Sequence, residues 1–296
     1  MYIDEQGKKW FKGNLHTHTT VSDGRLSPAA AAELYRANGY DFLALTDHWN
    51  LSHTKVEEGL LLLSGCEYNF HTNVRDGIYH IVGVGMQADP AVRREDTPQT
   101  AISKIHAAGG LAILAHPAWS LNTPEQFLRL TGLDATEIFN SVSDLPYNCR
   151  PYSGLIIDML AARGYILPLT AADDTHFYEK ADTCRSYIMV QADECSPQAI
   201  LTAVRYGNLY ATQGPQLHAE ACGRRIYVRC SPASAIVFFT DSVWVNHRAE
   251  VGTSLTEAVY DAAPGDSFVR VEITDKDGKS AWSGCIPLCP QPVQTN

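Results

Sequence analysis

Two histidines one residue apart suggest where this chain does its chemistry. In GNLHTHTTVSDG, residues 13 to 24, His16 and His18 are followed closely by Asp23. Residues i and i+2 of an extended segment leave the same face, so two imidazoles at that spacing can reach one cation together. Asp174 and His176, in ADDTH, repeat the spacing. A single pair of this kind is ordinary at a strand end. Here Asp47 and His48 (FLALTDH), Glu67 (LLLLSGCE), His80 and His116 (LAILAHP) also border apolar runs. Carboxylates and imidazoles buried together would repel or shift their protonation unless cations compensated them, so the set points to metal ions. Mixed histidine and carboxylate donors suit zinc, manganese or iron better than calcium.

The elements that must position these groups follow from the apolar pattern. Seven candidate strands cover 14–19, 41–48, 60–67, 79–85, 111–116, 135–140 and 166–170, and helix-like segments alternate with several of them. SPAAAAELYRANGY and TPQTAISKIHAAGG each begin with a capping hydroxyl and a proline and end at glycine, as crossover helices do. Further helices are expected over 152–163 and 197–206. Successive βα units predict a mostly parallel α/β barrel, whose strand C-termini meet on one face. After YATQGP, ending at Pro215, short alternating runs replace this texture and predict a small antiparallel β domain, with Asp277-Gly278 as a hairpin turn. The division is therefore 1–213 and 214–296.

Bulk properties narrow the function classes. The chain has 296 residues, 45% of them apolar, and a formal net charge of −10. That charge argues against nucleic acid or an anionic membrane as the main partner. No run approaches the roughly 18 apolar residues of a membrane span, and the N-terminus lacks a signal-peptide pattern, so a cytoplasmic protein is expected. The 8 cysteines form no CxxC pair. Cys285 and Cys289 lack the second pair that a structural metal site would need, so free thiols are expected. A homo-oligomer is allowed.

In order along the chain, HxH, SDG, TDH, a lone glutamate ending a strand, a lone histidine, AHP and DxH resemble the PHP (polymerase and histidinol phosphatase) superfamily of metal-dependent phosphoesterases. The similarity spans about residues 11 to 213. ADDTH followed by NLYATQGP and a C-terminal β domain is similar to the family's carbaryl-hydrolase-like branch. The resemblance implies a distorted (β/α)7 barrel followed by a small antiparallel β domain, with three metal positions. His16, His18, Glu67 and Asp174 would hold one ion. Glu67 would bridge to a second, held with His80 and His116, and Asp23, His48 and His176 would hold a third.

That pattern implies a metal-dependent hydrolase of phosphate esters using two or three divalent ions (Zn, Mn or Fe). In such a trinuclear site two cations about 3.5–4 Å apart can share a hydroxide, with Glu67 between them, while the third neutralises phosphoryl charge. Asp47 is expected either behind the ligands as a proton shuttle or as the group that orients His48. Arg25, Lys55 and Arg185 are the cations nearest the motifs and the candidates to meet a small-molecule phosphate ester. His53 and His71 fall in loops on the expected metal face, whereas His106, His218 and His247 read as structural. The family's helical insertion between the glutamate and AHP is missing, so the site is not capped in that way and nucleotide specificity is not implied. Two other readings stay open: hydrolysis of carboxyl or carbamate esters by the same metal centre, and a non-catalytic metal- or ligand-binding protein.

Overall fold

The computed structural model describes residues 1–71, 74–75, 77–178, 182–244 and 246–288; Cys289 and the side chain of His71 lie outside this set. Two sheets form a mixed α/β fold. One has 13 strands and the other 5. The smaller is built from Gly65–His71, Ile78–Val84, Leu111–Leu114, Ala135–Asn140 and Leu169–Ala172. The larger contains Lys9–Asn14, Phe42–Ala44 and Leu60–Leu63 in parallel register.

These eight segments are the expected strands with shifted bounds, the run at 60–67 being split in two at Ser64. They do not form one continuous closed ladder among the described residues. The two sheets touch instead through isolated parallel bridges, Thr17 with Thr175 and His48 with Glu67. The first strand also lies earlier than expected. It ends at Asn14, so His16 and His18 fall beyond the ladder on an extended segment held by Asp174 N–H to His16 O (3.0 Å) and His18 N–H to Thr175 O (2.9 Å). Polar residues there interrupt the regular pairing that apolar strands sustain.

Not all the strands are parallel. Ile78–Val84 runs antiparallel to both of its neighbours. The short connection after His71 allows a reversal but not a crossover helix. Helices Pro28–Ala37, Pro98–Ala107, Pro124–Phe127 and Pro197–Arg205 each start with proline behind a Ser or Thr whose side chain accepts from the third residue of the helix. Gly154–Ala161 lacks such a cap.

The C-terminal strands are antiparallel, and Asp277-Gly278 turns Phe268–Thr274 into Ser280–Trp282, with Gly278 at φ 77°. They continue the large sheet, because Ser280–Trp282 pairs with Leu209–Thr212, which pairs through Tyr187–Gln191 with Lys9–Asn14. Trp282 stacks on Phe139 (centroids 5.3 Å apart, planes at 18°), and fully buried Arg270 clasps Asp158 through two 2.8 Å bonds. C-terminal residues thereby brace both the helix Gly154–Ala161 and the strand Ala135–Asn140. No helix among the described residues is long and apolar enough to cross a membrane. The seven described cysteines are free thiols.

Candidate metal centre

The nine expected ligand residues come together in three groups: His16, His18, Glu67 and Asp174; Glu67, His80 and His116; and His18, Asp23, His48 and His176. Strand ends explain the convergence. His16 and His18 follow Lys9–Asn14, His48 follows Phe42–Ala44, His116 follows Leu111–Leu114 and Asp174 follows Leu169–Ala172. His80 is near the start of its strand, yet joins them because that strand is antiparallel: it stands opposite Asn69, two residues past Glu67. His116 (φ 29°) and Asp174 (φ 51°) occupy left-handed backbone that residues other than glycine seldom adopt, a strain that clusters at functional sites.

In the first group the atoms facing one another are evenly spaced. His16 Nε2 lies 3.3 Å from His18 Nε2, 3.3 Å from Glu67 Oε2 and 3.2 Å from Asp174 Oδ1, while His18 Nε2 lies 3.1 Å from both carboxylate oxygens. Four ligands about 2.0–2.1 Å from a tetrahedral ion would stand roughly 3.3–3.4 Å apart. Buried Asp174 Oδ1 has no hydrogen-bond partner among the described residues, and neither has His48 Nδ1, although Glu67 Oε2 is 3.1 Å from it. Two imidazoles and two carboxylates crowded at this spacing need positive charge among them, which either protons on the imidazoles or a cation can supply, and the donor types suit a cation. The residues present therefore fit a metal ion.

The second group is looser, with His80 Nδ1 2.7 Å and His116 Nε2 3.6 Å from Glu67 Oε1. The third is the open one. Asp23 is 53% exposed, against 1% for Glu67, and its Oδ2 lies 3.4 Å from His176 Nε2 and 3.7 Å from His48 Nε2.

Protonation shows the same balance of charge. Burial would depress the His16 and His18 pKa values, but Asp174 and Glu67 override it, raising His16 well above its ordinary value and His18 to about 9. Burial likewise opposes ionisation of Glu67 and Asp174, yet the neighbouring imidazoles hold both carboxyls below the usual range. The hydrogen bond from His176 lowers Asp23, and Asp23 in turn raises His176 against the effect of burial. His48 goes down, chiefly through burial.

Asp47 does not face the three groups. Oδ1 accepts from the N–H groups of Thr19 (2.7 Å) and Ser22 (3.1 Å) and from Ser22 Oγ (2.8 Å), and Oδ2 accepts from Thr19 Oγ1 (2.7 Å). It pins the turn that carries Asp23, and no hydrogen bond to His48 occurs among the described residues. Arg25 is beside the open group: its N–H donates to His176 O (3.0 Å), and its guanidinium lies 5.0 Å over Tyr178, whose ring stacks on His176. Arg185 donates to Asp144 (3.0 Å). Lys55 pairs with Glu57 (2.7 Å) on an exposed edge strand.

Sequence reasoning missed several polar residues behind the ligands. Glu137 Oε1 is 2.8 Å from His16 Nδ1. Asp173 accepts from Tyr35 Oη (2.6 Å) and from the N–H groups of Cys184, Arg185 and Ser186, fixing the loop next to Asp174. Trp119 stands steeply inclined to the His80 and His116 rings, with centroids 5.7 and 4.9 Å away and planes at 65° and 79°. A charged residue inside the apolar strand ATEIFN was the available clue to Glu137.

No family model and no curated protein matches the chain. Among solved structures, one from Bacteroides vulgatus, described as a two-domain protein containing a predicted PHP-like metal-dependent phosphoesterase, superposes with a TM-score of 0.57 at 15% identity, covering 97% of this chain and 98% of that one. An amidohydrolase from Chromobacterium violaceum, with bound sulfate and no metal, gives a TM-score of 0.41 at 18% identity over 55% of this chain and 87% of its own. Over nearly its whole length, then, this chain shares the fold of the Bacteroides vulgatus protein.

Proposed function

We propose that the chain is a PHP-type metal-dependent hydrolase of phosphate esters, holding two or three divalent cations (Zn, Mn or Fe) at the three groups. The observation that carries this reading is the buried, evenly spaced set of His16, His18, Glu67 and Asp174. In the same reading the strands of residues 1–213 form a distorted (β/α)7 barrel, the two isolated bridges being its weak seams, and 214–296 form the β domain. Cations bound there supply Lewis acidity, activating water and neutralising charge on the ester.

The chain's own residues do the rest. Glu67 belongs to two groups and fixes their separation. The open Asp23, His48 and His176 group marks where substrate enters, with Arg25 at its edge to pair with phosphoryl oxygens. Asp47 keeps the Thr19–Ser22 turn in place and so acts by positioning. Trp119 lies against the second group and limits water on that side.

Protein loaded with zinc or manganese should cleave aryl phosphate mono- or diesters in preference to aryl acetates and carbamates, and Asp174→Ala should abolish that turnover. A preference for the acetates or carbamates would move the reading to the carbonyl ester. Loaded protein inert on every substrate, and indistinguishable from Asp174→Ala, would refute catalysis.

A further inference from the structure

We propose that Glu137 is a positioning residue for the metal centre, selecting the nitrogen that His16 presents to a cation; the inference rests on the metal reading above. Glu137 is 2% exposed, on a strand whose six residues are all buried. A carboxylate at such a place is costly unless its oxygens are satisfied. Both are. Oε1 meets His16 Nδ1 at 2.8 Å, while Oε2 accepts from the His116 N–H (2.9 Å) and from Asn140 Nδ2 (2.8 Å). Asn140 Nδ2 also lies 3.2 Å from Asp174 Oδ2. One side chain thus links His16 directly, His116 through its backbone and Asp174 through Asn140.

The consequence for His16 is a fixed tautomer. In the neutral ring that binding a cation requires, a carboxylate partner keeps the hydrogen on Nδ1 and leaves the lone pair on Nε2, aimed at the space shared with His18, Glu67 and Asp174. A carboxylate that accepts from a ligating histidine also strengthens that ligand, and losing such a partner typically weakens metal binding about 10–100-fold. Glutamine cannot substitute. It has one acceptor oxygen, so its amide must face either His16 Nδ1 or the two donors on the other side. Facing His16, the amide would favour a hydrogen on Nε2 and block ligation.

Zinc affinity of the full chain, measured by competition with a chromophoric chelator, should fall about 10–100-fold in Glu137→Gln. The melting temperature of the chelated protein separates this from a fold defect. If Glu137→Gln lowers that temperature and leaves zinc affinity unchanged, Glu137 is merely structural and the proposal is overturned. Should the variant not fold, wild type decides: nitrogen-15 NMR of the zinc-loaded protein should show His16 with hydrogen on Nδ1, and hydrogen on Nε2 overturns the proposal. Wild type that binds no zinc overturns the metal reading and this inference with it. Wild type that binds zinc no tighter than Glu137→Gln overturns this inference alone.

Discussion

Stripped of cations, the protein should lose stability as pH rises from about 6.5 to about 9. His18 is fully buried and its pKa is pushed up from 6.5 to about 9, Asp174 and Glu67 overcoming the opposing effect of burial. A group that holds its proton more tightly in the fold stabilises it fully below the unfolded pKa, and that contribution fades as pH passes the folded one. Between these two values the loss from His18 amounts to about 3 kcal/mol, at about 1.4 kcal/mol per pH unit. For a chain of this length that lowers the melting temperature by about 6 °C.

His16 and His176, also raised, add to the loss with the same sign. Glu67, Asp174 and Asp23 are lowered, so their contribution is lost only in acid and is level across this window. His48, also lowered, acts with the opposite sign, and only at the lower end of the window, until the unfolded imidazole has lost its proton. Calorimetry in chelator at four pH values from 6.5 to 9.5 measures the effect. His18→Asn should reduce the slope, and zinc should remove it by taking the place of the protons. Chelated wild type with a level or rising melting temperature over that range would refute the reasoning.

Two further perturbations test the scaffold. Asp47→Ala leaves the Thr19 N–H without its acceptor and the Ser22 N–H with only Thr19 O, which should cost about 1–3 kcal/mol and loosen Asp23, so the chelator-resistant metal content should drop. Asp158→Ala removes the two short bonds to the buried Arg270 guanidinium and leaves it Glu272 at 3.3 Å, and the denaturant midpoint should report a loss of about 1–3 kcal/mol.

The ligand residues were legible because their chemistry is local to the sequence: imidazoles and carboxylates stand where apolar runs stop. His80 shows the limit of that rule. Its place at a strand start looks wrong for a parallel barrel, and only the antiparallel pairing of Ile78–Val84 brings it to Glu67. Glu137 was missed because it sits inside an apolar strand, and its partners, His16 and His116, are 121 and 21 residues away. Asp47 looked like part of the metal chemistry because it adjoins His48, but neighbours on an extended chain point to opposite sides, and Asp47 turns to the Thr19–Ser22 loop. The break of the strands into two sheets also escaped prediction, since hydrophobic pattern sets which residues are buried and not where a ladder is interrupted.

Anomalous diffraction from crystals of the zinc-loaded protein tests the central claim most directly. The account predicts a peak among His16 Nε2, His18 Nε2, Glu67 Oε2 and Asp174 Oδ1, about 2.0–2.2 Å from each, with at least one more at the groups that share Glu67 or His18. Fully loaded crystals with no peak among those four atoms would contradict it.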